Sequence, residues 1–396
     1  FGNIVIDDPD ESDSNIKTIQ VQITNNFFTG DTLEYSGGNS TNGTLTITVN
    51  DDKDAAQTLI RTIKYSSTNN NLTHYGAKTN RTLTWTITGE NDNLNTYTST
   101  VNLTIINDLP TLAGLSGTLA YVENNVATVI DADLTLADVD NLNLKQTTVT
   151  ISGNYQNGQD VLSCTTGDAA ITASFTTGTG VLLLSGEATK AKYQTALRAV
   201  KYFNSSNDPS NVTRTVQWVI TDEDDSNSAT GTSTITVTPV NDAPVFANEA
   251  TLEYDEDDAA TAMCPNLTLS DVDDTNIISA SVEITTNYQS SEDVLSCGTA
   301  AGITVNNVNN GKITFSGTTT IANYQAILRS VKYNNTELID PNTSTRTVTW
   351  IITDDKGNTN TSQSTTITTT ITVTRINDPP TLSSITSPIA YTEQSA

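Results

Sequence analysis

The chain has 396 residues, and 45 acidic against 18 basic side chains leave a formal charge of −27. That balance supplies no basic face, which excludes nucleic-acid binding through phosphate neutralisation. Only 35% of residues are hydrophobic, yet they are β-branched and regularly spaced, so the composition reads as many half-buried strands rather than as disorder.

The chain opens at Phe1 with no charged-then-apolar leader, as expected of a mature or excised segment, and no apolar run reaches the roughly 18 residues that cross a bilayer. From there the sequence repeats itself. Trp85, Trp218 and Trp350 stand in the phrases Arg81-Thr-Leu-Thr-Trp85, Arg214-Thr-Val-Gln-Trp218 and Arg346-Thr-Val-Thr-Trp350. The turn Asn-Asp-x-Pro recurs at Asn107, Asn241 and Asn377. The period is about 133 residues, and a fixed period identifies the structural unit before any strand is assigned.

The first repeat, residues 1–108, ends in Val101, Leu103 and Ile105, which alternate with polar residues as a strand with one wet face. Ala55 to Ile63 breaks the alternation with helical spacing, matched by Ala191 to Val200 and Ile321 to Val331 in the next repeats. Each repeat, at 1–108, 109–242 and 243–378, is therefore expected to be a two-sheet sandwich closed by one short helix. Trp85 shares parity with Leu83 and Ile87, so the Trp positions, with Tyr65, Tyr202 and Tyr333, are expected to fill cores rather than to stack sugars.

Repeat 1 lacks the opening Tyr strand that repeats 2 and 3 carry at Tyr121 and Tyr254, while the final stretch, residues 379–396, holds a spare copy ending Tyr391-Thr-Glu393. That stretch is either the first strand of a following repeat or a strand donated to the next copy, since a sandwich with an open edge invites β-strand addition. Both describe head-to-tail continuity, and a contact of that kind gives a filament.

Acidic residues gather where repeats meet. Asp138/Asp140 and Asp271/Asp273 form Asp-Val-Asp pairs with a counterpart in Asp8-Pro9-Asp10, and a Glu follows each Tyr strand at Glu123, Glu256 and Glu393. Oxygen-only ligands brought together by short linkers suit Ca²⁺, provided the middle residue of Asp-x-Asp turns away. A packed, ion-free junction is the alternative. These motifs resemble the cadherin-like β-sandwich repeats of large surface proteins and adhesins over nearly the whole chain. The resemblance implies Ca²⁺ between repeats, held at the first junction by Asn107, Asp108, Asp138 and Asp140 with Glu90 as an extra, and at the second by Glu123, Asn241, Asp242, Asp271 and Asp273. Asp8, Asp10, Asn377, Asp378 and Glu393 would serve a site shared between copies. The family's leading linker Asp is replaced by Ile105 and Pro239, and its closing Asn by Leu109 and Ala243, which leaves ligands for one or two ions per junction.

Cys264 and Cys297 lie in one repeat and could form a bridge or remain two buried thiols; Cys164 has no partner in its own repeat. Sequons occur at Asn39, Asn42, Asn71, Asn80, Asn102, Asn204, Asn211, Asn266, Asn334, Asn342 and Asn360, about as many as chance gives in a chain so rich in Asn, Ser and Thr. The single histidine, His74, and carboxylates that recur at every joint instead of pairing in one cleft disfavour an enzyme. A structural extracellular or cell-surface fibre, built from copies or repeats in line, is the expected function. An adhesin binding a partner or glycan is the alternative.

Overall fold

The computed structural model describes residues 2–7, 15–115, 117–308, 310–355, 364–383 and 393. It is all-β apart from three short helices, and its buried apolar residues form three separate cores. The chain divides into two compact units: Phe1–Tyr121, Asn125–Ser205 and Asn211–Val237 make one, and Val122–Asn124, Ser206–Ser210 and Thr238–Ala396 the other.

In the first unit, repeat 1 has an antiparallel sheet in the order Thr44–Asp52, Asn15–Asn25, Asn80–Gly89, Leu94–Asn102, with a smaller sheet of Gly38–Asn39, Asp31–Tyr35 and Lys64–Ser67. Alternation puts Ile19, Val21, Leu83 and Trp85 inward. The final strand stops at Asn102, so Leu103 and Ile105 lie beyond it and Ile105 is exposed, contrary to the inward face expected there. Repeat 2 has a six-stranded sheet in which Gly231–Thr238 is flanked on its outer side by Thr118–Val122, with Thr128–Val129, Lys201–Asn204 and Asp160–Ser163 in the smaller sheet. In the second unit, repeat 3 repeats this plan: Leu252–Asp255 runs parallel to Ser364–Thr374 at the sheet's edge, with Leu252 beside Ile371 and Tyr254 beside Val373.

One helix follows the same strand in each repeat: α1 at Lys53–Ile60, α2 at Lys190–Arg198 and α3 at Ile321–Arg329. They begin where an extended residue precedes a polar, alanine-rich run; Asp52 and Thr320 cap α1 and α3 through Ala55 and Asn323 N–H. Tyr193, Ala196 and Leu197 of α2 fall on one buried face, while Arg198 Nε and Gln194 Oε1 tie the helix to Leu134 and Leu136 backbone.

The Arg of each Arg-Thr-x-x-Trp phrase holds the sandwich from inside. Arg81, Arg214 and Arg346 are fully buried and paired with Asp31, Asp160 and Asp293, and Tyr65, Tyr202 and Tyr333 donate to the same carboxylates. A buried charge survives only when its partner and remaining hydrogen bonds are supplied, as they are here. Trp85, Trp218 and Trp350 are buried, and each donates its indole N–H to Ser99, Ser233 or Thr369 on the next strand.

Candidate metal centres at the starts of repeats 2 and 3

The first centre lies wholly within the first unit and follows from strand pairing. Thr111–Ala113 runs antiparallel to Thr135–Ala137, with Thr111 opposite Ala137. The residues just before one strand, Asn107 and Asp108, are thereby carried to those just after the other, Asp138 to Asn141. Asp138 Oδ1 accepts the N–H groups of Asp140 and Asn141 at 3.2 and 2.9 Å, a tight turn that sends Val139 outward to 43% exposure and leaves both acids buried. Asp108 N–H donates to Asp140 Oδ2 at 3.0 Å.

The neighbouring strand Arg214–Asp222 delivers Asp222, which is fully buried. Asn107 Nδ2 donates to Asp222 Oδ2 at 2.8 Å, and Asn141 Nδ2 to Asp224 Oδ2 at 3.0 Å. A carboxylate only accepts, so both amides must turn their nitrogens to these acids and their oxygens the other way. Lys190 of α2 donates to the carbonyls of Asp138 and Asn141 and stands 5.1 Å above the Tyr75 ring of repeat 1. What remains is a set of buried oxygens with no hydrogen-bond partner: Asn107 Oδ1, Asp138 Oδ2, Asp140 Oδ1 and Asn141 Oδ1. Burial pushes the Asp138 carboxyl above its usual range despite its two backbone donors.

The second centre, wholly within the second unit, reproduces this geometry and adds a residue. Val245–Ala247 pairs with Thr268–Ser270, which sets Asp242 against Asp273; Asp242 N–H points at the Asp273 carboxylate at 3.4 Å. Asp271 Oδ1 caps the turn through Asp273 and Asp274 N–H, and Val272 is turned out to 53% exposure. Asn241 Nδ2 donates to the buried Asp354 at 2.9 Å. Asp271, Asp273 and Asp274 each offer a carboxylate oxygen within 4.8 Å of the others. The addition is Glu123. Its Oε2 accepts Val240 N–H at 2.7 Å, while its Oε1 is buried without a hydrogen-bond partner. Burial raises the Glu123 pKa, helped by the charges of Asp242, Asp273 and Asp208. Burial and the adjacent Asp273 push Asp271 up to about 6.

Buried oxygens without donors, set among carboxylates that repel one another, fit a hard cation with many oxygen ligands. The donor set contains no imidazole or thiolate, the ligands that softer transition metals prefer. The single histidine packs against Phe28 instead, at 5.2 Å between rings.

Several sequence expectations change. Glu90 does not join the first centre: it sits in repeat 1 where Glu223 sits in repeat 2, exposed, accepting from Asn15 as Glu223 accepts from Asn143. Asp222, Asp224, Asn141, Asp274 and Asp354 belong to the centres although sequence reasoning left them out; their signal was position, directly after the Asp-x-Asp pair or the Trp strand. Glu256 stands among the junction acids of the sequence but was assigned to no site. It is 2% exposed, its Oε2 accepts Ile376 N–H, and its Oε1 has no hydrogen-bond partner, so it matches Glu123 one repeat later. Asn377 and Asp378 beside it are exposed, as is Glu393. Asp8 and Asp10 lie outside the described residues.

The Cys264–Cys297 bridge is not formed: all three cysteines are free thiols. Cys264 is packed into the repeat 3 core, Cys297 lies half-buried against that core, and Cys164 donates to Ala196 O. Burial raises all three thiol pKa values, Cys164 to about 11. Asn204 cannot carry a glycan, because it is buried with its amide nitrogen donating to Asp160. Asn39, Asn42, Asn102, Asn211 and Asn266 are exposed, Asn71, Asn80, Asn334 and Asn342 half-buried, and Asn360 lies outside the described residues. Among the described residues no helix is long and apolar enough to cross a membrane.

No protein-family model matches the chain, and no curated protein matches it. The chain is similar in fold to solved cadherin extracellular domains. Protocadherin Gamma B2 extracellular cadherin domains 1-5 matches at 14% identity and a TM-score of 0.28, covering 88% of this chain and 54% of that one, so the chain spans about half of its length. Mouse clustered PcdhgC3 EC1-3 matches at 13% identity and 0.29, covering 90% and 89%. Drosophila N-cadherin EC1-3 matches at 12% identity and 0.19, covering 90% and 92%.

Proposed function

We propose that this chain is a structural extracellular repeat protein whose sandwiches, at 1–108, 109–242 and 243–378, are joined in line into a surface fibre or stalk and stiffened by Ca²⁺ at the joints. The observation that carries this reading is the convergence of buried, donor-less oxygens on each linker: Asn107, Asp138, Asp140 and Asn141 at one, Glu123 and Asp271 at the other. Evolving such a cluster for folding alone would be self-defeating, since each orphaned acceptor costs about 1 to 3 kcal/mol.

The first site would be held by Asn107, Asp108, Asp138, Asp140 and Asn141, the second by Glu123, Asn241, Asp242, Asp271 and Asp273. Bound Ca²⁺ supplies positive charge where the chain has only acceptors. The chain's own residues do the positioning: Asp222 and Asp354 orient the linker amides, and the Asp138 and Asp271 turns aim the paired acids. Because both linkers carry Asn-Asp-x-Pro, fixing Asn and Asp also fixes the direction in which the next sandwich leaves.

Isothermal titration with Ca²⁺ of the chelated chain tests this. Saturable binding that raises the melting temperature is expected, with loss of one class of site in Asp140→Asn and of the other in Asp271→Asn. An identical melting curve in excess chelator and in excess Ca²⁺ would sink it.

A further inference from the structure

The two cation centres are built alike but differ in what the neighbouring helix brings to them. Helices α2 and α3 align through Gln194 and Gln325, whose Oε1 atoms accept Leu136 and Leu269 N–H at 2.9 and 2.8 Å. That alignment sets Lys190, the first residue of α2, against Ile321, the first residue of α3. Ile321 packs on the repeat 3 core. Lys190 turns to the first centre, where its Nζ donates to Asp138 O at 2.6 Å and to Asn141 O at 2.5 Å. Those carbonyls belong to the two ends of the turn that carries the paired acids.

Local helix chemistry disfavours a lysine at that position. A cation in the first turn opposes the helix dipole, which favours anions there. Helix α2 has no acid in its first turn and no side-chain cap at Thr189, whereas Asp52 and Thr320 cap α1 and α3. Lys190 is held from outside its own helix. Besides the two carbonyls, the Tyr75 ring of repeat 1 lies 5.1 Å from Nζ, within cation–π reach. Tyr75 has a left-handed backbone with φ 58°, as has His74 before it with φ 50°. Asn71 Oδ1 accepts Tyr75 N–H at 2.9 Å and Thr73 Oγ1 accepts Gly76 N–H at 3.0 Å, which holds the turn that presents the ring. A bulky residue keeps such a φ only where its surroundings fix it. Burial raises the Asp138 carboxyl, and the Lys190 charge is among the groups that draw it back.

We infer that Lys190 is a tethered counter-ion of the first centre: it supplies positive charge to the acids in the ion-free chain and lowers the affinity of that centre for Ca²⁺. Affinity for a hard divalent cation follows the negative charge of its ligands. A fixed ammonium beside the ion opposes binding by Coulomb repulsion. The second centre has an apolar side chain at the corresponding place and gathers Glu123, Asp271, Asp273 and Asp274, so it is the tighter of the two. As Ca²⁺ rises the second centre fills before the first, which Lys190 meanwhile holds in its ion-free form.

This rests on the Ca²⁺ reading above, and variants of the whole chain separate the two. In calorimetry the wild type is expected to show two classes of site, the tighter being the one lost in Asp271→Asn. The Asp271→Asn background then isolates the first centre. There Lys190→Met, which keeps the stem and removes the charge, is expected to tighten Ca²⁺ binding by about tenfold or more. Two controls should leave that affinity within about twofold: Lys190→Arg, which keeps the charge, and Lys192→Met, which removes one that pairs with Asp168 instead. In chelator the sign reverses, and Lys190→Met is expected to melt about 2 °C or more below the wild type because the acids lose their counter-ion. A first-centre affinity that Lys190→Met leaves unchanged, or that Lys192→Met raises equally, would overturn the counter-ion role while the Ca²⁺ reading stands. So would a first centre tighter than the second, or a chelated Lys190→Met that melts at or above the wild type. Failure of the wild type and of every variant to bind Ca²⁺ would overturn both.

Discussion

Repeats 1 and 2 share an interior and differ at one edge. Both bury an Arg-Asp-Tyr cluster, Arg81 with Asp31 and Tyr65, Arg214 with Asp160 and Tyr202. Both donate a Trp N–H to a Ser across the hairpin. On the outer strand, however, Ser233, Ile235 and Val237 are buried in repeat 2, while Ser99, Val101 and Leu103 in matching positions of repeat 1 are only half-buried. Alternation states which side of a strand is apolar; burial comes from what lies beside it. The strand Thr118–Val122 makes that difference in repeat 2.

The largest expected effect tests the shared interior. Arg214→Ala and Arg81→Ala each leave an Asp buried without its cation, and each is expected to cost about 3 to 5 kcal/mol in chemical denaturation. If Arg81→Ala costs much less than Arg214→Ala, the cluster depends on the covered edge, and the two interiors are not equivalent. Next comes the edge. Tyr121→Ala removes a fully buried ring and is expected to cost about 3 kcal/mol or more, whereas Tyr97→Ala, at an exposed position of Leu94–Asn102, should stay within about 0.5 kcal/mol. A large loss for Tyr97→Ala would show that this ring is covered in solution.

Cation binding is a smaller and adjustable term. Ca²⁺ at a hundred times its dissociation constant should stabilise by about 2.7 kcal/mol per site. Glu123→Gln should weaken the second centre alone, leaving the first centre's affinity unchanged by calorimetry, because Glu123 has its donors and charged neighbours only at the second.

The smallest effect is on pH. Burial and Asp273 raise Asp271 from its ordinary value to about 6, so the folded chelated protein holds this proton more tightly than the unfolded chain does. Its contribution to stability is fully present below about pH 4 and is lost as pH rises through about 6. Chelated protein is therefore expected to melt higher at the acid end of that window, and Asp271→Asn should reduce the difference that remains after general charge repulsion is matched. Ca²⁺ affinity should run the other way, rising through the same window as the carboxylate is freed.

Local spacing made much of this molecule legible from its residues. The inward Trp positions, the helices and the Asp-x-Asp pairs rest on which side chains lie two, three or four positions apart, which backbone geometry alone sets, and the period of about 133 residues rests on whole phrases that recur along the chain. The helix ends differ from the apolar spacing by up to three residues: α1 begins at Lys53 behind its Asp52 cap and ends at Ile60 rather than Ile63, while α3 begins at Ile321 as its spacing indicates.

Only the tertiary structure decided what depends on register between distant strands. The sequence shows Arg81 but not that Asp31, fifty residues earlier, receives it; it shows Asn204 as a sequon but not that Asp160 claims its amide. It places Glu90 near a linker, while strand pairing sets Glu90 beside Asn15 and brings Asp222 and Asp354 to the linker amides instead. A periodic pattern names a face because the backbone repeats. Which groups meet across that face is set by long-range pairing, and there a shift of one residue would reverse every side chain.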